Sequence, residues 1–182
     1  MVIGEKTVTV EAFMAFVLKP ENADKRFELI NGRIVEVVSN NRSSELAAYI
    51  LGLLVAFVYK HKLGRVTGAD GGYIVAGNRY IPDAAFITIA KQPQPCTVPY
   101  NPQAPDIAVE VLSPTDNQSD VRLKISNYLL AGTTLWLVNP DSQQIEVYQP
   151  GQQAVVLDMN STLSGGQVLP GFSVPVREIF EI

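Results

Sequence analysis

Pro105-Asp106-Ile107-Ala108-Val109-Glu110-Val111-Leu112-Ser113-Pro114 is the stretch on which the fold turns. Ile107 to Leu112 is a continuous β-rich apolar run, the pattern of a central strand buried on both faces. Side chains alternate along a strand, so Asp106, Ala108 and Glu110 share one face and Ile107, Val109 and Val111 the other. A glutamate inside such a strand costs on the order of several kcal/mol unless a cation or good hydrogen bonds satisfy it. Ser113 and Thr115 offer Glu110 partial help; a divalent cation would satisfy it fully.

Upstream, Tyr80-Ile81-Pro82-Asp83-Ala84-Ala85-Phe86 again sets a carboxylate in an apolar run. Pro82 forces an extended approach, and Asp83 is expected to open a strand. Downstream, Asp120-Val121-Arg122-Leu123-Lys124 falls on a helix expected over Ser119–Ala131, with Gly132 as its C′ residue. Lys124 lies one turn after Asp120. Its stem can reach back over the C-terminal end of the Glu110 strand, where open α/β sheets place ligands.

Two strand carboxylates and a nearby lysine are the minimum set for metal-dependent cleavage of a phosphodiester. Magnesium takes a few carboxylate oxygens and several waters. It lowers the pKa of water and neutralises phosphoryl charge, while an ammonium steadies the transition state. Each residue also has an ordinary reading. Asp83 can be a turn residue bonded to its own backbone. Glu110 and Lys124 can form a structural ion pair. Asp120 and Lys124 can be a surface pair worth about half a kcal/mol. Asp106 reads as a solvated strand-start residue rather than a ligand.

Working outward, a helix is expected over Val10–Leu18, capped by Thr7 or Thr9 and ended by Pro20. Asn31-Gly32 joins Phe27–Ile30 to Arg33–Val38 as a hairpin. One long helix is expected from Glu45 to Lys62, stopped by Gly64; its apolar positions nearly encircle it, which predicts deep burial. Val66–Val75, broken at Gly71-Gly72, and Tyr80–Ile89 read as strands, and Lys91–Pro105 as an irregular, mobile loop. Thr134–Val138, Gln144–Tyr148 and Gln153–Asp158 continue as a meander, before a tail with turns at Ser164-Gly165-Gly166 and Pro170-Gly171. The order predicts an α/β (α+β) chain: a mixed central sheet flanked by helices, with a β-rich C-terminal tail.

The 182 residues, 47% of them hydrophobic, suit one domain over 1–182 with a sizeable core and exclude disorder. With one cysteine (Cys96) and one histidine (His61), an internal disulfide, a zinc site and a Ser-His-Asp site all lose their basis. His61 reads as a solvated helix-end residue. No basic segment and long apolar run open the chain, and Leu46–Val58 is short for a membrane span, so a soluble cytoplasmic protein is expected. A net charge of −4 argues against a free-standing nucleic-acid binder. Carboxylates clustered for a metal would explain the same deficit, because bound cations reverse the local sign.

The second motif, together with Lys124, Tyr128, Ala131-Gly132 and Leu135-Trp136-Leu137-Val138-Asn139-Pro140, resembles the bacterial Uma-two family, as does Phe27-Glu28-Leu29-Ile30-Asn31-Gly32-Arg33. The resemblance covers about residues 8 to 150. It implies the restriction-endonuclease-like PD-(D/E)xK fold, a domain of unknown function whose members are called nucleases. Asp83 matches the motif's first aspartate and Glu110 its acidic position. The superfamily's lysine position is Leu112 here, and the resemblance points to Lys124 on the following helix instead. Glu28 matches a recurrent acidic position and, with Asp120, is expected to support the metal. A histidine often found near the start of the long helix is replaced by Ser43 or Ser44.

The resemblance thus implies an endonuclease that cuts DNA, with Asp83 and Glu110 holding Mg2+ or Mn2+ and Lys124 stabilising charge. The alternative is a catalytically weak or inactive nuclease-fold module that binds protein or nucleic acid. A homodimer through the Lys91–Pro105 loop and the tail is a further expectation, since two sites can address two strands.

Overall fold

The computed structural model describes residues 7–182; the opening residues 1–5, read above for a leader, lie outside the described residues. Helix α1 (Val10–Val17) starts where the Thr9 hydroxyl accepts from Ala12 N, and a single 3-10 turn follows at Pro20–Asn22. Strands β1 (Phe27–Ile30) and β2 (Arg33–Glu36) form the expected hairpin. Asn31 and Gly32 carry φ of 48° and 76°, the two positive values that a type I′ turn needs.

The remaining elements are α2 (Asn41–His61), β3 (Gly64–Gly68), β4 (Gly72–Val75), β5 (Asn78–Tyr80), β6 (Ala84–Thr88), β7 (Tyr100–Asn101) and β8 (Ile107–Val111). Then come α3 (Gln118–Leu130), β9 (Thr134–Asn139), β10 (Gln144–Tyr148), β11 (Val155–Leu157), β12 (Thr162–Ser164), β13 (Ser173–Pro175) and α4 (Val176–Phe180). Gly132, with φ of 80°, follows α3 as the C′ residue.

The described strands do not join in a single mixed sheet. They divide into a five-stranded sheet, β2-β1-β5-β4-β7, a six-stranded sheet, β11-β10-β9-β8-β6-β3, and a small pair, β12-β13. The expected strand Val66–Val75 is therefore two strands in different sheets, and so is Tyr80–Ile89. At the second break Ile81-Pro82-Asp83 carries the chain across, leaving Asp83 one residue before β6 rather than inside it. In the six-stranded sheet β6, β8 and β9 are neighbours as expected, with β8 and β9 parallel and joined through α3.

Alternation along β8 divides the core. Ile107, Val109 and Val111 pack with α2, Trp136 and the tail. Ala108, with Ala85 and Leu135, meets Ile30, Tyr73 and Tyr80 from the other sheet and Tyr128 from α3. Small residues opposite tyrosines let the two sheets close on one another. α1 covers the far face of the five-stranded sheet, where Phe13 packs with Phe27 and Leu29. Trp136 is fully buried and stacks on Phe172; its indole nitrogen finds no partner among the described residues.

Helix α2 begins earlier than expected because Asn40 caps it, accepting from Ser43 N, and it ends at Lys62 in the left-handed region rather than at Gly64. By length and composition it could cross a membrane. One stripe, Ser43, Leu46, Ala47, Ile50, Leu54 and Val58, is buried against the sheet, while Val55 and Tyr59 are exposed; the encircling burial does not occur. His61 is exposed, as expected.

The Lys91–Pro105 segment is tied down rather than loose. Tyr100–Asn101 pairs in parallel with β4, and the Tyr100 hydroxyl donates to Phe27 O at 2.8 Å. Arg65 donates to Pro93 O at 2.8 Å. Gly72 is required beneath it: a Cβ there would stand 2.5 Å from the Tyr100 ring.

Candidate active site

Glu28 lies on β1 between Phe27 and Leu29, which face α1, so its own side chain points into the space between the sheets. Asp83 is placed by register. Ala84 pairs with Val109 and Ala85 with Ala108, so one further step sets Asp83 opposite Glu110, on the same face. The ladder ends there, and Asp83 Oδ2 accepts from Val111 N at 2.7 Å instead. Asn117 caps α3, its side-chain oxygen accepting from Ser119 N and Asp120 N.

Lys124 reaches from α3 to both glutamates. Its Nζ is 2.9 Å from Glu28 Oε2 and 3.0 Å from Glu110 Oε2. Each carboxylate has a second donor: Ile81 N gives to Glu28 Oε1, and the Tyr128 hydroxyl gives to Glu110 Oε1, both at 2.8 Å. The lysine also lies 5.5 Å from the centre of the Tyr80 ring, whose hydroxyl accepts from Asn127. Glu28 and Glu110 are 2% and 9% exposed, so this network forms the floor of a cavity.

The cavity has a volume of about 330 Å³ and runs between the β1–β2 hairpin and the Ser113–Asn117 turn. Among the described residues six carboxylates line it, those of Glu28, Glu36, Asp83, Glu110, Asp116 and Asp120, against the single ammonium of Lys124. Asp120 is held by Arg33 across the mouth, not by Lys124. Asp106 lies apart: it accepts from Thr88 N and pairs with Lys91.

Electrostatics follow from burial and crowding. Burial pushes the Glu110 carboxyl up to about 7; Lys124 opposes that shift, and Glu28 and Asp83 add to it. Burial also raises Asp83, against the pull of Val111 N–H and Lys124. For Lys124, burial alone would lower the pKa, but the facing Glu110 and Glu28 carboxylates hold it above the usual lysine range. Tyr128 is raised well above the ordinary phenol by burial and by Glu110.

The structure thus brings Asp83, Glu110, Lys124 and Glu28 together. Tyr128 carried no role in the sequence reading, though its spacing of four from Lys124 places it on the same helix face. The amides of Ile81 and Val111 had no sequence signal. Ser43, one of the two serines read as standing in for a histidine, is buried and donates to Leu112 O at 2.8 Å, which ties α2 to the end of the site strand.

The profile of the family Uma2, described as "Putative restriction endonuclease", matches residues 10–177. The chain belongs to the Uma2 family. The match includes every residue of the site, and nuclease-like function is what membership of Uma2 supports. A crystal structure described as "a putative nuclease belonging to DUF820 from Anabaena variabilis" superposes with a TM-score of 0.83 at 22% identity, over 96% of this chain and 98% of that one. The Uma2 chain therefore has the restriction-endonuclease-like fold, a mixed α+β architecture. A comparison with curated proteins gives no match.

Proposed function

We propose that this chain is a metal-dependent endonuclease that hydrolyses DNA phosphodiester bonds, with Asp83, Glu110 and Lys124 as its catalytic group. The observation that carries this reading is a buried ammonium on a cavity floor, facing six carboxylates, in a chain of the Uma2 family. So much like charge around one cavity calls for a cation.

The donors fit a hard divalent ion such as Mg2+ or Mn2+. Asp83 and Glu110 offer carboxylate oxygens from opposed positions, and among the described residues no histidine or cysteine lines the cavity. Among the described residues no group of three or more His, Cys, Asp or Glu is arranged to hold a metal ion. The reading therefore rests on an ion bound by one or two carboxylates and completed by water and phosphate oxygens, as Mg2+ commonly is. When bound, such an ion supplies charge neutralisation at the phosphoryl group and activation of water.

The protein's own groups do the rest. Val111 N–H fixes Asp83 through one oxygen and leaves Oδ1 for a ligand. Tyr128 orients Glu110, and Ile81 N–H orients Glu28. Lys124 sets positive charge where the phosphoryl oxygens gain negative charge in the transition state. Apolar walls from Ile81, Val111, Leu112 and Leu135 limit water around the site.

One observation favours a binding module instead: Lys124, Tyr128 and Ile81 already satisfy the carboxylates of Glu28 and Glu110 without any ion. Incubation with single-stranded, duplex and branched DNA separates the two readings. Cleavage that needs Mg2+ or Mn2+, stops with chelator and is lost in Asp83→Asn and Glu110→Gln supports the endonuclease. No cleavage of any substrate by the folded wild-type protein overturns it in favour of the module.

A further inference from the structure

We infer that the site takes its substrate as an unpaired nucleotide, from a single strand or flipped out of a duplex, and does not act on a phosphate held in an intact double helix. The inference rests on the nuclease reading above and narrows its substrate class.

Three observations carry it. The first is depth. Glu28, Glu110 and the Lys124 ammonium form the floor, and the lips stand above them: the segment after β2 on one side and the Ser113–Asn117 turn on the other. A base that enters such a recess must first leave the helical stack.

The second is size. A cavity of about 330 Å³ is at the small end of the range of about 300–1,000 Å³ that holds a small organic ligand. It suits one nucleotide and is far too small for a double helix. Part of its lining is apolar, with Val37, Val38, Leu112 and Val121 offering a surface for a base. Val38 is 61% exposed on the rim, an apolar side chain that the described residues leave uncovered.

The third is charge. Affinity for intact duplex comes from several lysines and arginines spaced along the phosphates. Among the described residues Lys124 is the only cation that lines this cavity; Arg33 beside the mouth is paired with Asp120, and Arg42 and Arg122 line the adjoining cleft rather than this one. Flanking phosphates of a duplex pressed against the mouth would face Asp116, and Glu36 and Asp120 with their partners Lys25 and Arg33. A single flexible strand can thread one phosphate to the floor and turn the others away, with base burial replacing the missing electrostatic attraction.

The test uses the whole chain and three DNA probes with one sequence: a single strand carrying 2-aminopurine, that strand in a perfect duplex, and a duplex in which 2-aminopurine faces an abasic site. Binding is read by anisotropy in Ca2+ and base unstacking by 2-aminopurine fluorescence; cleavage is read separately in Mg2+. The single strand and the abasic duplex should bind about tenfold or more tighter than the perfect duplex, with a fluorescence rise on the abasic duplex. Val38→Asp, at an exposed position that leaves the fold intact, should weaken single-strand binding about fivefold or more. Equal or tighter binding to the perfect duplex, no binding to any probe, or wild-type affinity in Val38→Asp would overturn the inference. Preference for unpaired DNA without cleavage would overturn the nuclease reading alone. Fastest cleavage of the perfect duplex would keep that reading and overturn this one.

Discussion

Lys124 Nζ lies 3.0 Å from Glu110 Oε2, and the same nitrogen meets Glu28, a residue 96 positions earlier in the chain. One ammonium therefore joins the helix, the central strand of one sheet and a strand of the other. The sequence alone suggests a partly solvated lysine that alanine could replace without harm to the fold. The structure corrects that: the Lys124 side chain is only 17% exposed and joins two buried glutamates.

Removing the lysine leaves two buried carboxylates without a countercharge. Lys124→Met should cost about 3–5 kcal/mol in urea unfolding. Adding Glu28→Gln and Glu110→Gln should restore most of that, because no buried charge then remains and the two amide oxygens still accept from Ile81 N and the Tyr128 hydroxyl. Cleavage should be lost in both variants. A single variant as stable as wild type would show that the ion network contributes little to the fold.

Asp83 should behave in the opposite way. Burial makes its charge costly, and an asparagine in its place could still accept from Val111 N through the amide oxygen. Asp83→Asn should leave metal-free stability within about 0.5 kcal/mol of wild type, or raise it. Mn2+ affinity measured by calorimetry should fall about tenfold or more. Unchanged Mn2+ affinity would remove Asp83 from the metal site.

Tyr128 acts through Glu110 and is a positioning residue. Tyr128→Phe keeps the ring in its core and deletes one donor to Glu110 Oε1. It should cost about 1–3 kcal/mol of stability, the usual penalty for a buried acceptor left unpaired. It should also lower kcat more than it raises KM, because Glu110 loses its orientation. A change in KM alone would assign the hydroxyl to substrate contact.

Alkaline pH should loosen the fold through Tyr100. Burial pushes its phenol up to about 12, from an ordinary value of 10.0, and its hydroxyl donates to Phe27 O. A folded pKa above the unfolded one gives stability that is complete below pH 10 and is lost as pH rises through 12. Thermal unfolding followed across that window should show a falling Tm. Tyr100→Phe should lose about 1 kcal/mol at neutral pH and show a shallower alkaline decline. An unchanged slope would exclude Tyr100 as its source.

Local chemistry was legible in the chain. Asn31-Gly32 dictates a turn because both residues tolerate positive φ, and Gly132 ends α3 for the same reason. The apolar run Ile107–Leu112 specifies a buried strand, and its alternation places Glu110 on the face away from Val109. A costly glutamate there, an aspartate after Pro82 and a lysine on the next helix were enough to mark Asp83, Glu110 and Lys124.

Only the tertiary structure decided which faces meet. Tyr80 and Ala84 read as one strand, yet they belong to separate sheets, because Ile81 N bonds to Glu28 and Val111 N to Asp83 where the ladder would have continued. Tyr100–Asn101 is too short to announce itself; it pairs because Gly72 leaves room for it. Glu28 joins the site, and Val38 its rim, only when the hairpin lies across the strand ends. Periodicity and turn residues act over a few positions and so can be read along the chain. The pairing of distant faces depends on which apolar surfaces bury each other, a choice made by the whole chain together.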